Sequence, residues 1–336
     1  MKPKPPTMLD IAAAAGVSPM TVSRAFRRDA SVSGATRARI LAVADAMGYV
    51  LDGTAAGLSS RRTGFVAMTI PSINNANFAD TVSALTQGLR GTNLQLILGY
   101  TNYDVEEEER LIEQLLRRRP EAVVVTGGTH TPRCRRMLAA CGVPVVETWD
   151  LPADPIGHVV GFSNAEAAKL MVAHFVARGY SRIGFIGGDA TRDTRGFDRR
   201  RGFTEALTAQ GLDATRLIAS GPPPITMREG AASMRDLLTR WPDTQAVMCV
   251  SDLAAFGALT ECQRQGFSVP GQIAIAGFGA YDLSAQSVPT ITTIDARAAE
   301  IGQCAAAIIL TLLAGSQAEP AQLTRLQPRL IARETT

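Results

Sequence analysis

Residues 9–26 read LDIAAAAGVSPMTVSRAF and decide the fold of the N-terminal part of the chain. Thr7 can cap a helix that runs through MLDIAAAA, and Gly16 supplies the left-handed residue that ends it. Ser18 is a second helix cap, and Pro19 stands at the first helical position, where its missing N–H does no harm. The stretch therefore predicts two short helices joined by a tight turn.

A third helix completes this N-terminal unit. Residues 32–49 read VSGATRARILAVADAMGY, in which a helix beginning near Ser33 places an apolar stripe from Ile40 to Met47 and ends at Gly48. Three short helices that share one core are typical of a helix-turn-helix, whose second helix enters the major groove of DNA. A three-helix bundle that binds protein is the alternative interpretation.

The charge of the chain is unevenly distributed. Residues 1–62 hold nine Lys/Arg and four Asp/Glu, a net charge of +5, whereas the remainder holds 25 and 27, a net charge of −2. This asymmetry favours a module that binds a polyanion, attached to a nearly neutral domain, although a solubilising basic tail has the same charge pattern.

Composition also bears on compartment and cofactors. The five cysteines are scattered without metal-ligand spacing, which predicts reduced core thiols and neither a metal site nor a cofactor. No apolar run is long enough to cross a membrane, and the first ten residues lead into no signal-peptide core. We therefore expect a cytoplasmic protein with no membrane partner.

The rest of the chain alternates short apolar runs with helical segments. The runs are GFVAMTI, LQLILGY, EAVVVTG and VPVVETW before residue 150, and RIGFIGG, AVMCV and IAIAGF after it. Such a pattern predicts parallel sheets covered by helices on both faces. We expect crossings between two lobes near Phe162 and Thr290, with lobe one formed by residues 63–161 and 292–336 and lobe two by residues 162–291.

These features together resemble the LacI family of transcription regulators. The segments TVSR (21–24) and VSGATR (32–37) carry the resemblance in the headpiece, and it extends over essentially the whole chain. It implies an N-terminal all-α helix-turn-helix headpiece (1–50) and a hinge (51–62). It also implies an α/β two-lobed type I periplasmic-binding-protein-like core with parallel sheets (63–336).

The headpiece geometry and the resemblance assign residues to DNA. The start of the second helix is expected to contact bases and phosphates, and the helix caps to contact phosphates. In the hinge, Leu58 stands where the family inserts a leucine into the minor groove, although Gly53 and Gly57 each cost about 1 kcal/mol of helix propensity. The predicted DNA-contacting residues are Thr7, Ser18, Pro19, Met20, Thr21, Ser23, Arg24, Arg27, Ser33, Thr36, Ala55 and Leu58.

A ligand site is expected between the lobes, because ligands of open α/β sheets bind beyond the carboxyl ends of the strands. Arg199 stands where the family pattern places an arginine that grips the effector, and its guanidinium suits a carboxylate or vicinal hydroxyls. Gly279 stands where many sugar-binding members have an aspartate, which favours an anionic ligand. The predicted effector-binding residues are Asn74, Phe78, His130, Glu147, Trp149, Asp150, Arg199, Ser251, Asp252 and Gly279.

Within the family, the segments PSINNANF, THTP, PVVE and AIAGF look closest to the gluconate-utilisation repressors. We therefore expect a repressor of sugar-acid utilisation genes that binds gluconate or 2-ketogluconate and acts as a homodimer on a palindromic operator. An enzyme acting on a sugar in the same cleft is the first alternative, but the sequence has no nucleophile elbow, P-loop or clustered metal ligands. A transport-type binding protein is the second, and it would need export and no headpiece.

Overall fold

A computed structural model of the chain describes five stretches, which are residues 5–26, 32–51, 63–188, 192–315 and 321–336. They form two compact units that meet in sequence at Thr63 and Gly64. Three residues predicted to contact DNA, Arg27, Ala55 and Leu58, lie outside the described residues. None of the described helices is long and apolar enough to cross a membrane.

The N-terminal unit has the predicted helices. They are α1 (Met8–Ala15), α2 (Pro19–Ala25) and α3 (Gly34–Ala46). Ile11, Val22 and Ile40, one from each helix, are fully buried against one another in a single apolar core. Gly16 takes φ 64°, the left-handed conformation that ends α1 and turns the chain into α2. The helix-turn-helix predicted from the sequence is therefore confirmed.

The first sheet of the core is wholly parallel. Its strands are β1 (Phe65–Ile70), β2 (Gln95–Tyr100), β3 (Ala122–Thr126), β4 (Val145–Thr148), β5 (His158–Gly161) and β11 (Leu323–Arg325), in the order β11-β5-β4-β3-β1-β2. Along β1, Val66 and Met68 join one apolar cluster while Phe65 and Ala67 join another. Both faces of the sheet are thus covered, which explains why its strands are continuously apolar.

Helices cover each face of this sheet in pairs. The helices are α4 (Ala76–Gly88), α5 (Val105–Arg117), α6 (Pro132–Ala140) and α12 (Ala298–Leu313). Helix α4 packs against α12, and α5 packs against α6. The carboxyl ends of β1, β3 and β4 all lie at the same edge, because parallel strands run in one direction. Their loops form the lobe-one side of a cleft.

The second sheet is also parallel. Its strands are β6 (Ile183–Ile186), β7 (Leu217–Ile218), β8 (Ala246–Cys249) and β9 (Ala274–Ala276), in the order β7-β6-β8-β9. The helices of this lobe are α7 (Asn164–Ala177), α8 (Thr194–Ala209), α9 (Met227–Arg240), α10 (Asp252–Arg264) and α11 (Asp282–Gln286). Helix α7 packs on α8, and α9 packs on α10. The loops after β6, β8 and β9 form the lobe-two side of the cleft.

The C-terminal stretch contacts both lobes. Strand β11 pairs with β5 of the first sheet, and β12 (Arg329–Ile331) pairs with β10 (Thr293–Asp295) in an antiparallel ribbon. The last residues lie against lobe two, where the Ile275 amide donates to the Thr335 carbonyl at 3.0 Å. The range 292–336, predicted to belong to lobe one, is therefore corrected at its C-terminal end. These final residues carry no apolar run that could have revealed their partner.

Gly302 sets the spacing between α4 and α12. A Cβ added at Gly302 would lie 2.3 Å from the Thr81 carbonyl oxygen and 2.9 Å from the Ala84 Cβ. We predict that Gly302→Ala lowers the free energy of unfolding of the core by roughly 1–3 kcal/mol, because neither backbone nor Cβ atoms can move aside cheaply. Urea denaturation followed by circular dichroism measures the loss. The neighbouring exposed variant Gln303→Ala should unfold like the parent, and equal stability of all three proteins would contradict the prediction.

Candidate functional site

An aromatic wall closes one side of the cleft between the lobes. The Phe78 and Trp149 rings meet edge to face with centroids 5.2 Å apart, and Trp149 meets Phe162 in the same way at 5.9 Å. Phe162, at the crossing between lobes, stacks at 6.1 Å on Phe278 from lobe two. Aromatic faces of this kind suit the C–H surface of a sugar-like ligand.

A small cavity lies at the centre of this wall. Its lining combines aromatic rings, amides, hydroxyls, two guanidinium groups, one carboxylate and one aliphatic side chain from both lobes. The lining residues are Asn75, Asn77, Phe78, Tyr103, Trp149, Asp193, Arg195, Arg199, Val250, Ser251, Phe278 and Tyr281. The predicted residues Phe78, Trp149, Arg199 and Ser251 are brought together here. A larger polar cavity of about 490 Å³ adjoins it, and Asp150 and Asn164 lie on its wall.

Arg199, on α8, is the central cation of the cavity. Its Nη1 donates to Asn164 Oδ1 at 2.7 Å, and its guanidinium lies 4.3 Å from the Phe278 ring centroid. Its buried Nε has no hydrogen-bond partner, and burial lowers its pKa. Within the described residues, no carboxylate forms an ion pair with it, but the Asp193 carboxylate in the same cavity opposes the lowering of its pKa. The buried Trp149 Nε1 is a second unpartnered donor in the same cavity.

Arg195 also reaches the cavity, although it was not among the predicted site residues. It is 7% exposed and crosses to lobe one, where its Nη1 lies 3.5 Å from the Thr126 carbonyl oxygen and 3.9 Å from Asp150 Oδ2. Its guanidinium carbon lies 5.6 Å from the Phe78 ring centroid. A Cβ at Gly127 would stand 2.7 Å from Arg195 Nη1, so glycine leaves room for this side chain. The contacts of Arg195 join residues that are far apart in sequence, so no local sequence pattern could predict them.

Asp150 lies beside Arg195. Burial raises the pKa of its carboxyl group, and the neighbouring Arg195 opposes that shift. Asn164 Nδ2 donates to its Oδ1 at 3.1 Å and to the Trp149 carbonyl oxygen at 3.3 Å. The predicted site residue Asp150 is therefore adjacent to the cavity, and it is linked to Arg199 through Asn164, which the sequence did not single out.

His130 and Glu147, both predicted as effector ligands, lie elsewhere, and those assignments are corrected. Their side chains are each 1% exposed and form a buried cluster with Glu108 on α5. His130 Nδ1 lies 2.6 Å from Glu108 Oε2, and its Nε2 lies 3.8 Å from Glu147 Oε1. Glu147 Oε2 accepts from the Ile156 amide at 2.6 Å. The cluster faces the α5 and α6 side of the first sheet and does not line the cavity.

This cluster also brings a cysteine close to the histidine. Ligand atoms of Glu108, His130 and Cys134 lie within 4.8 Å of one another. Burial opposes protonation of His130, but the two glutamates outweigh it and raise its pKa to about 9. Burial also raises the pKa of the Cys134 thiol to about 12. The imidazole and the two glutamates are buried together and contact one another, so we assign the cluster to stability.

Two further predicted residues, Asn74 and Asp252, are placed differently from the expectation. Asn74 is exposed and does not line the cavity, whereas the nearby Asn75 and Asn77 do. Asp252 is fully buried and accepts from Thr293 Oγ1 at 2.6 Å and from the Tyr281 amide at 2.7 Å. It therefore holds the loop after β9 to the crossing strand β10, and its assignment as a ligand is corrected.

Gly279 shapes the cavity without lining it. Its φ is +128°, and a Cβ there would lie 2.4 Å from Tyr281 Cε1 and 2.8 Å from Asn77 Nδ2. The Tyr281 ring occupies the space into which a side chain at position 279 would project. Where many sugar-binding members of the family are expected to have an aspartate side chain, this protein therefore has the ring of Tyr281.

The headpiece presents a polar face built from helix caps. Ser18 Oγ accepts from the Thr21 amide at 3.2 Å, and Ser33 Oγ accepts from the Thr36 amide at 3.3 Å. Thr7 forms a reciprocal capping box at the start of α1. The predicted contacts at the start of α2 remain available to solvent, and they include the exposed residues Ser18, Pro19, Met20 and Arg24 and the half-buried residues Thr21 and Ser23.

The His130 cluster generates a prediction about pH. The folded-state pKa of His130 is raised from 6.5 to about 9. The contribution of the His130 imidazolium to stability is therefore present below pH 6.5 and is lost as pH rises through 9. We expect the free energy of unfolding of the parent protein to fall by roughly 3 kcal/mol over this range, and that of His130→Gln to fall much less. Urea denaturation between pH 6.5 and 9 measures both slopes.

His174 provides the matched control for this experiment. Burial and the nearby Arg178 lower its pKa, so it titrates below the same range. The His174→Gln variant should keep the slope of the parent protein. A parent-like slope in His130→Gln would contradict the assignment of the pH dependence to the buried cluster.

Comparison with known proteins agrees with this architecture. Residues 7–52 match the family model described as bacterial regulatory proteins, lacI family, and residues 172–336 match a periplasmic binding protein-like domain. The HTH-type transcriptional regulator GntR of Pseudomonas aeruginosa is 35% identical over 331 residues, which is 98% of this chain and 96% of that protein. The regulator of the same name from Escherichia coli K12 is 31% identical over 96% of each chain.

A solved structure extends the similarity to three dimensions. A LacI-family transcriptional regulator from Silicibacter pomeroyi is 37% identical and superposes with a TM-score of 0.92, covering 98% of this chain and 99% of that one. The relatives are transcriptional regulators and not enzymes. With a helix-turn-helix followed by a two-lobed parallel-sheet core, the chain belongs to the LacI family of DNA-binding transcriptional regulators.

Proposed function

We propose that the protein is a cytoplasmic repressor of sugar-acid utilisation genes, whose affinity for operator DNA changes when gluconate or 2-ketogluconate binds in the cleft. The observation that carries the proposal is Arg199, a cation in the cavity that has no ion-pair partner within the described residues. Burying a charge without an ion-pair partner is costly, and the nearby Asp193 carboxylate offsets part of this cost, so an anion that contacts Arg199 directly relieves the remainder.

The rest of the cavity fits a polyhydroxylated acid. Arg199, Arg195 and the unpartnered Trp149 N–H supply donors for a carboxylate. Asn75, Tyr103 and other amide and hydroxyl groups of the same cavity can both donate and accept, as sugar hydroxyls require. The chain is similar to regulators named GntR and IdnR, and its loop segments resemble those of gluconate-utilisation repressors. Both similarities support a sugar acid as the ligand.

The DNA partner follows from the headpiece. One headpiece buries little surface, and two headpieces related by a twofold axis read a palindrome with matched half-sites. We therefore propose a homodimer on a palindromic operator, contacted by the start of α2 and the helix caps. Because sites coupled through a conformational change influence each other equally, bound DNA alters effector affinity by the same factor by which effector alters DNA affinity.

Arg199→Gln tests the proposed effector site. Loss of charge-assisted hydrogen bonds should weaken gluconate binding by roughly 10- to 100-fold in isothermal titration calorimetry, while affinity for operator DNA without gluconate stays unchanged. Arg228→Gln, whose parent side chain is 90% exposed, is the matched control and should bind gluconate like the parent. Gluconate binding that survives Arg199→Gln at full strength would overturn the assignment of this cavity.

A further inference from the structure

Asn164 lies between two opposite charges that do not pair with each other. Its Oδ1 accepts from Arg199 Nη1 at 2.7 Å, and its Nδ2 donates to Asp150 Oδ1 at 3.1 Å. The residue is 2% exposed and is the first residue of α7, directly after the crossing from lobe one to lobe two. One amide therefore links the arginine of lobe two to the Trp149–Asp150 loop of lobe one.

We propose that Asn164 is a positioning residue that acts as a neutral spacer, keeping Asp150 from neutralising Arg199 and so preserving the anion-binding capacity of the cleft. This inference rests on the proposed function of the cleft as an anion site. An amide suits the role because it offers an acceptor to the guanidinium and a donor to the carboxylate at once. A carboxylate at this position would pair with Arg199, and an apolar residue would leave both charges without this partner.

The alternative partner of Asp150 does not remove the need for the spacer. Arg195 approaches Asp150 only at 3.9 Å, and its Nη1 donates to the Thr126 carbonyl oxygen at 3.5 Å. Asp150 thus retains capacity for a second cation, and Arg199, which Asn164 links to it, forms no ion pair within the described residues. Removal of the Asn164 amide opens the path between them.

A double-mutant cycle tests the proposal in the full-length protein. Gluconate affinity is measured by calorimetry for the parent, Asn164→Ala, Asp150→Asn and the double variant. We expect Asn164→Ala to weaken gluconate binding by about 10-fold or more in the parent background, since an ion pair with Asp150 competes with the ligand for Arg199. In the Asp150→Asn background the same substitution should change affinity by less than about 3-fold.

The cycle separates a spacer from a merely structural residue. An equal loss of affinity in both backgrounds would overturn the proposal, because a structural defect does not depend on the charge of Asp150. Unchanged affinity in Asn164→Ala would also overturn it. Lys169→Ala, on the exposed side of α7 where the lysine pairs with Glu166 and Glu205, is the control for general effects on this helix.

A crystal structure of Asn164→Ala without ligand gives a readout that does not need the effector. We expect an Arg199 nitrogen within 4.0 Å of an Asp150 carboxylate oxygen, and unchanged positions of both side chains would contradict the spacer role. If the parent protein binds neither gluconate nor 2-ketogluconate, the proposed effector fails, and this structure still decides the inference.

Discussion

The cleft is organised around a cation that forms no ion pair within the described residues, although the nearby Asp193 carboxylate favours its charged form. Arg199 is held by one hydrogen bond from its Nη1 to Asn164 and by the face of Phe278, and its buried Nε is left without a partner. Unsatisfied buried donors cost on the order of 1–3 kcal/mol each, more for charged groups, so such a group is retained where a ligand completes it. An anion that accepts a hydrogen bond from Arg199 removes the cost of this unpartnered donor, and this gain contributes to its affinity for the site.

The groups around Arg199 come from both lobes of the core. Arg195, on α8 of lobe two, contacts Thr126 and Asp150 of lobe one, and Arg199 on the same helix is linked to Asp150 through Asn164. A ligand that engages the arginines changes the forces between the lobes, because the same groups hold the lobes together when it is absent. Coupling to another site requires only that the two lobe arrangements differ in ligand affinity.

Local features were predictable from the sequence, and contacts across the fold were not. The caps at Ser18 and Ser33 and strands β1–β4, β6, β8 and β9 follow from patterns within a few residues, and the structure has them. The strands β5, β7 and β11 of the same sheets have no such run and were not predicted. Glu147 was assigned to the cleft because it ends a strand, but strand alternation sends its side chain to the α5 and α6 face. Trp149 reaches the cleft because its φ of +75° breaks that alternation, which no residue pattern announces. The contacts of Arg195 and Asn164 depend likewise on the packed lobes.

We propose above all that the affinity of the protein for operator DNA depends on a sugar acid bound in the cleft. Fluorescence anisotropy measures this dependence directly. A labelled palindrome from the upstream region of the gene is titrated with protein, with and without saturating gluconate or 2-ketogluconate. The salt concentration is held fixed, because salt alone changes DNA affinity strongly. We expect tight specific binding that one of these acids shifts by about 5-fold or more in either direction. Tight binding that neither acid shifts would contradict it.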